Sequence, residues 1–170
     1  IWVLTSDGDL MEGLSSEACS LAGHLGLGAL NVVYDDNRIT IDGSTDLSFS
    51  EDVEQRFQAY GWHTLAVEDG NDLHELQRAF SAAQRVEDRP SLVRVRTHIG
   101  FGSPVKQDTS GAHGEALGAD ETLATKIALG WPLEPTFHIP DEARQLFQSA
   151  AGRGRVHHRA WRQRLERYRE

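Results

Sequence analysis

Four short apolar runs, separated by segments with helical spacing, constrain this chain more than any other feature. The runs are IWVLT at 1–5, ALNVVYD at 29–35, WHTLAV at 62–67 and SLVRVRT at 91–97. Between the first two, residues 12–25 read as a helix with Leu14, Ala18, Leu21, Ala22 and Leu25 on one face. Ser50 is placed to cap a second helix running to about Tyr60, with Glu51 and Asp52 in its positive first turn. Asp72 caps a third, whose Leu73, Leu76, Phe80 and Ala83 follow i, i+3, i+7, i+10 spacing. Strands joined through helices form βαβ units with right-handed crossovers. The fold class is therefore α/β, a parallel sheet flanked by helices.

Past Ile99 the pattern changes. GFGSPVKQDTSGAHGEALG holds five glycines and little that can pack, so it is either a linker or an ordered loop shaped by a ligand or a second subunit. The ordered loop is the expectation. A short helix from about Asp120 to Leu129 and a WPLEP turn follow. From Asp141 the chain reads as helical, with a break at Gly152 and Gly154, and its basic end resembles the start of an inter-domain linker. This gives a domain at 1–145 and a linker at 146–170.

Composition narrows the function classes. The 170 residues, 39% hydrophobic and 25% charged, suit one folded domain. Residues 141–170 hold eight Arg against four acids, so a formal charge of −9 leaves −13 on residues 1–140. So acidic a body is a poor partner for nucleic acid, and a phosphorylated ligand would need a metal or a partner chain for its counter-charge. No apolar run reaches the roughly 20 residues of a membrane span, and no secretory signal is visible. One cysteine, Cys19, excludes an internal disulfide and fits a reducing compartment, so a cytoplasmic location is expected. The chain opens without Met and inside a buried-type strand, which reads as an interior piece of a longer polypeptide with the sheet incomplete on its N-terminal side.

The chemistry concentrates at two strand ends. Ser6-Asp7-Gly8 follows the first run and Asp35-Asp36-Asn37 the second. Ligands of open α/β sheets bind beyond the carboxyl ends of the strands. A carboxylate and an amide oxygen suit Mg²⁺ or Ca²⁺, which commonly bring substrate phosphates with them, and Gly8 permits close backbone approach. A calcium loop starting at Asp7 fails at Met11 and Glu12, and one starting at Asp35 fails at Ile39. SDGDLMEG lacks the glycine spacing of a dinucleotide fingerprint. Spacing alone does not separate a metal site from turn residues, because Asp and Asn favour turns for their own reasons.

The stretch DGDLMEGLSSEACSLAGHLGLGALNVVYDDNRITIDG, with FQAYGWHT, RPSLVRVRTHIGFGSP and GAHGEALG in order, closely resembles the diphosphate-binding domain of transketolases. The resemblance covers residues 1 to about 145. It implies a thiamine-diphosphate-binding fold in which Asp7, Asn37 and the backbone carbonyl of Ile39 coordinate Mg²⁺ (or Ca²⁺). Gly8 would donate its N–H to the diphosphate, and Ile41 would pack near the thiazolium ring. His113 would reach the diphosphate and the donor sugar, while Glu12 would couple the two cofactor sites at the subunit interface. The implied activity is transfer of a two-carbon ketol unit between sugar phosphates in the pentose phosphate pathway. A second subunit, in a homodimer, would supply the pyrimidine-binding domain, so the chain alone is expected to be inactive. A ketol transferase like dihydroxyacetone synthase, or a non-catalytic cofactor-binding remnant, stays open. Ser6 stands where the family usually has Gly; a positive φ there would cost about 1 kcal/mol or more and loosen the turn. Cys19, Trp62 and Trp131 read as packing residues, His24, His63 and His74 as surface or packing residues. His157 and His158 lack metal-binding partners.

Overall fold

The computed structural model describes residues 1–169. Its strands are β1 (Trp2–Ser6), β2 (Asn31–Asp36), β3 (His63–Val67) and β4 (Ser91–Arg96). Its helices are α1 (Asp7–Met11), α2 (Gly13–His24), α3 (Val53–Ala59), α4 (Leu73–Ala83), α5 (Ala119–Ala128) and α6 (Asp141–Arg169). The sheet runs β1-β2-β4-β3 and every pairing is parallel. β4 therefore threads between β2 and β3. In register, Ser6 lies beside Asp35, and Asp35 beside Val95, which gathers the carboxyl ends of β1, β2 and β4.

Alternation along the strands divides the core between two faces. On one, Val32, Tyr34 and Leu92 pack with Leu10, Phe57 and Trp62; on the other, Val67, Val93 and Val95 pack with Ala79 and Ala83 of α4. Phe57 is 1% exposed and meets Trp62 edge-on at 4.9 Å. Its burial alone contributes about 2–3 kcal/mol.

Each expected strand forms, shifted by no more than two residues at either end. The helices differ more. The helix expected at 12–25 forms as α2, but a short helix that was not expected, α1, precedes it across Glu12, whose backbone is extended (φ −69°, ψ 134°). The Leu14 and Leu21 side chains, expected inside, are 75% and 56% exposed, and Leu25 is exposed too. The reason is a close approach: a Cβ at Gly23 would lie 1.9 Å from the Tyr60 carbonyl oxygen. Only the small face formed by Cys19, Ala22 and Gly23 can sit that near another backbone, so the leucines turn outward. Trp62 Nε1–H donates to the Cys19 carbonyl at 2.8 Å across this contact.

Ser50 does not cap α3. Asp52 does, accepting the Gln55 N–H at 2.9 Å, and Glu54 is the acid in the first turn. Asp72 caps α4 as expected, accepting from the N–H groups of His74 and Glu75. α4 rests on Ala79 and Ala83, with Leu73 exposed at its start. Gly152 and Gly154 do not break α6, which is continuous from Asp141 to Arg169. A helical glycine costs only about 1 kcal/mol relative to alanine, and here the neighbours are Ala151, Arg153 and Arg155.

The chain divides into two compact units, one from Ile1 to Leu129 and one from Gly130 onward, ahead of the 145/146 boundary read from sequence. Among the described residues no helix is long and apolar enough to cross a membrane. The glycine-rich stretch after β4 is an ordered loop held by its own bonds. Asp108 N–H donates to Ile99 O, and the Glu121 carboxylate at the start of α5 accepts from the Ser103 hydroxyl and, at 2.9 Å, the Val105 N–H.

Candidate functional site

β1 ends at Ser6, whose backbone is extended (φ −125°, ψ 179°). The positive φ that would have made serine costly is absent, so no backbone penalty attaches to this position. The Asp9 carboxylate reaches back to the Ser6 N–H at 2.9 Å and its hydroxyl at 3.0 Å, which fixes the entry into α1. Asp7 thus opens a short helix rather than lying in a loop.

The Asp7 side chain points inward and is 2% exposed. The Tyr34 hydroxyl donates to its Oδ1, and the Arg38 N–H donates to its Oδ2 at 3.1 Å. Arg38 adopts φ +64°, a left-handed conformation that costs an L-residue about 1–2 kcal/mol. That turn is what brings the 37–39 segment back onto Asp7. Asn37 is 8% exposed; its Oδ1 accepts the Ile39 N–H at 2.9 Å and its Nδ2 donates to Asp35 Oδ2 at 3.2 Å. The Thr97 hydroxyl donates to the other Asp35 oxygen.

Charge is distributed unevenly among these acids. Asp36 pairs with Arg94 at 3.1 Å and with Arg38 at 3.6 Å. Arg94 also binds Glu54 and Glu68, at 2.7 and 2.5 Å. Desolvation opposes the Arg94 charge, but those three carboxylates outweigh it and hold its pKa above the ordinary value. For Asp7, burial pushes the pKa up, repulsion from Asp36 and Asp35 adds to that, and the Tyr34 and Arg38 bonds offset part of it. Burial and the neighbouring Asp7 push the Tyr34 phenol up as well, so it serves Asp7 as a donor. Among the described residues no Lys, Arg or His pairs with Asp7. A buried carboxylate without a protein cation fits a divalent ion that prefers hard oxygen ligands.

The donor set agrees with that fit. Among the described residues no cluster of three or more His, Cys, Asp or Glu forms a cage. An ion held here by Asp7 and the Asn37 amide oxygen would draw further ligands from a bound phosphate, the usual habit of Mg²⁺. Beside Gly8 the space is open: a Cβ there would meet no protein atom within 4 Å. The fold itself makes no demand for glycine at that position, which leaves room for a ligand against the backbone. Ile41 is 68% exposed, and its Cδ1 lies 3.9 Å from where a Cβ of Gly114 would be, so the 39–44 loop adjoins the loop of His113. His113 is exposed at the end of a short 3₁₀ turn, its N–H bonded to Ser110 O. Glu12 is exposed and its carboxylate makes no bond among the described residues; its backbone is engaged, the N–H by the Asp9 carbonyl and the carbonyl by Ser15. It is not joined to the Asp7–Asn37 cluster. Asp7 and Tyr34 also border an open cavity of about 400 Å³, which Gly8, Asn37, Ile41 and His113 do not line.

Sequence reading named Asp35 only as part of the strand-end turn, and missed Tyr34, Arg94 and Thr97. One signal was present: two arginines inside an otherwise apolar strand, SLVRVRT, require acceptors opposite them, and Arg94 finds three carboxylates while Arg96 finds the Asp36 and Thr97 carbonyls.

The family model described as the thiamine diphosphate binding domain of transketolase matches residues 1–170. The chain belongs to the transketolase family. Transketolase 7 of Craterostigma plantagineum is 50% identical over 161 residues, which are 94% of this chain and 24% of that protein. The structure of Campylobacter jejuni transketolase superposes with a TM-score of 0.87 at 36% identity, covering 98% of this chain and 26% of that one. Pichia stipitis transketolase in complex with sedoheptulose-7-phosphate gives 0.85 at 42% identity, covering 95% and 24%. The α/β architecture is thus that of the transketolase thiamine-diphosphate-binding fold. The chain spans about a quarter of the length of these relatives.

Proposed function

We propose that this chain supplies the metal–diphosphate site of a transketolase, and that the observation carrying this is the buried Asp7 carboxylate without a protein cation. Asp7, the Asn37 amide oxygen and the Ile39 carbonyl hold Mg²⁺ (or Ca²⁺). The Gly8 N–H faces the diphosphate of thiamine diphosphate, Ile41 lays apolar surface against the cofactor, and His113 approaches diphosphate and donor sugar. Glu12 acts at the contact with a second subunit. When bound, the cofactor supplies the electron sink that lets a two-carbon ketol unit pass from a ketose phosphate to an aldose phosphate. The chain's own residues contribute position and charge: Tyr34 and Arg38 hold Asp7, and Asp7 neutralises the ion that grips the phosphates.

Sugar phosphates as substrates, a homodimeric partner, a role in the pentose phosphate pathway and a cytoplasmic location complete the reading. The sugar phosphate in the Pichia stipitis complex and the single cysteine support it. Because the chain matches a quarter of its relatives' length, the 170 residues alone bind cofactor but do not turn over. Calorimetry with thiamine diphosphate and Mg²⁺ tests the site: uptake by the wild type and none by Asp7→Ala is expected. No uptake by either removes the binding claim. Turnover of xylulose 5-phosphate with ribose 5-phosphate by a full-length protein containing this chain tests the activity; its absence leaves a related ketol transferase.

A further inference from the structure

An asparagine amide has two nearly isosteric ends, one an acceptor and one a donor. Rotated by half a turn, Asn37 would present N–H groups, not oxygen, to a cation. Its neighbours decide the orientation. Asp35 Oδ2, 3.2 Å from Nδ2, can only accept; the Ile39 N–H, 2.9 Å from Oδ1, can only donate. The reversed amide would set oxygen against carboxylate and N–H against N–H, losing both bonds. The first anchor works only while the Asp35 carboxylate is itself held, and the Thr97 hydroxyl holds it. Thr97 follows β4, whose Val95 is in register with Asp35, so a residue sixty positions away in sequence stands beside the Asp35–Asn37 pair.

We propose that Thr97 and Asp35 are positioning residues that turn the Asn37 amide oxygen toward the divalent cation. The inference rests on the metal site proposed above and extends it to residues that touch neither ion nor cofactor. Asp35 also polarises the amide through its N–H, which strengthens the opposite oxygen as a ligand.

The test titrates MgCl₂ into the full chain at fixed thiamine diphosphate and reads the apparent Kd by calorimetry, with Tm measured in the absence of both. Partners of this kind change metal affinity by about 10–100-fold when removed, so Thr97→Val is expected to raise the Kd about tenfold or more. Thr97→Ser keeps the hydroxyl and is expected to stay within about threefold of wild type, with neither variant shifting Tm enough to explain the change. Asp35→Ala should weaken binding comparably, and Thr97→Val added to it should cost nothing further. A Thr97→Val protein that binds Mg²⁺ like the wild type overturns the proposal, as does a loss that Thr97→Ser does not recover. Should Thr97→Val fail to fold, Asp35→Ala binding as tightly as Thr97→Ser overturns it instead. Wild-type protein that takes up no Mg²⁺ would sink the underlying site; wild-type binding with an indifferent Thr97→Val sinks only the positioning role.

Discussion

Replacing Arg94 by methionine keeps most of its bulk but strands the carboxylates around it, and exposure ranks what each loses. The side chains of Arg94 and Asp36 are 15% and 9% exposed, those of Glu54 and Glu68 28% and 70%. The Glu68 pair is a surface bridge worth about 0–1 kcal/mol. Asp36 is different, because a buried charge deprived of its partner costs about 3–5 kcal/mol. Its other cation, Arg38, is 62% exposed and sits 3.6 Å away, so it recovers little. Arg94→Met should therefore destabilise the fold by about 3–4 kcal/mol, and Glu68→Gln by less than about 1 kcal/mol. Adding Asp36→Asn to Arg94→Met removes the stranded charge and should restore more than half of the loss. Urea unfolding at pH 7, followed by tryptophan fluorescence, measures each step. The reasoning is refuted if Arg94→Met costs under about 1 kcal/mol, or if Glu68→Gln rescues it as well as Asp36→Asn does.

Asp7→Asn should move apo stability and cofactor binding in opposite directions. The Asp7 pKa is raised by burial, so the folded state binds its proton more tightly than the unfolded state, and charging it costs stability. The Tm deficit of wild type against Asp7→Asn should grow as pH climbs from 3.8 through the raised folded value, then level; a deficit that shrinks contradicts this. Added Mg²⁺ and thiamine diphosphate should raise the Tm of wild type alone. Gly8→Ala meets no protein atom within 4 Å, so the apo Tm should hold or rise while thiamine diphosphate binding weakens in calorimetry; unchanged binding would place the diphosphate elsewhere. Glu121 has its pKa lowered by the bonds from Ser103 and Val105. Its hold on the 103–106 loop is present above 4.5 and lost as pH falls through the depressed folded value, so the Val105 amide resonance should titrate below 4.5.

Much of the fold was legible because apolar alternation and Asp caps are local signals: four strands and the Asp72 cap follow from them directly. The inner face of α2 was not, because leucine spacing marks an apolar face without saying what it will meet. The 1.9 Å approach of Gly23 to Tyr60 is a tertiary fact that favours small residues over large ones. At the candidate site, the placing of Asp7 and Asn37 at neighbouring strand ends could be read from the pattern, and their metal role only from the family resemblance. Tyr34 and Thr97 could not, since their roles depend on strand order. Sequence gives β1 beside β2 through a short crossover, but not that β4 would displace β3 as the neighbour of β2.

That insertion has a consequence for any attempt to divide the molecule. A backbone cut in the turn near Asp88 would leave Asp7, Asn37 and Ile39 on one peptide while Thr97 and Arg94 travelled with the other. The first peptide would own every proposed ion ligand yet have a vacant slot between two strands that never touch. Reconstitution of cation uptake would then report the arrival of β4, making a split version of this domain a sensor for whatever brings the halves together.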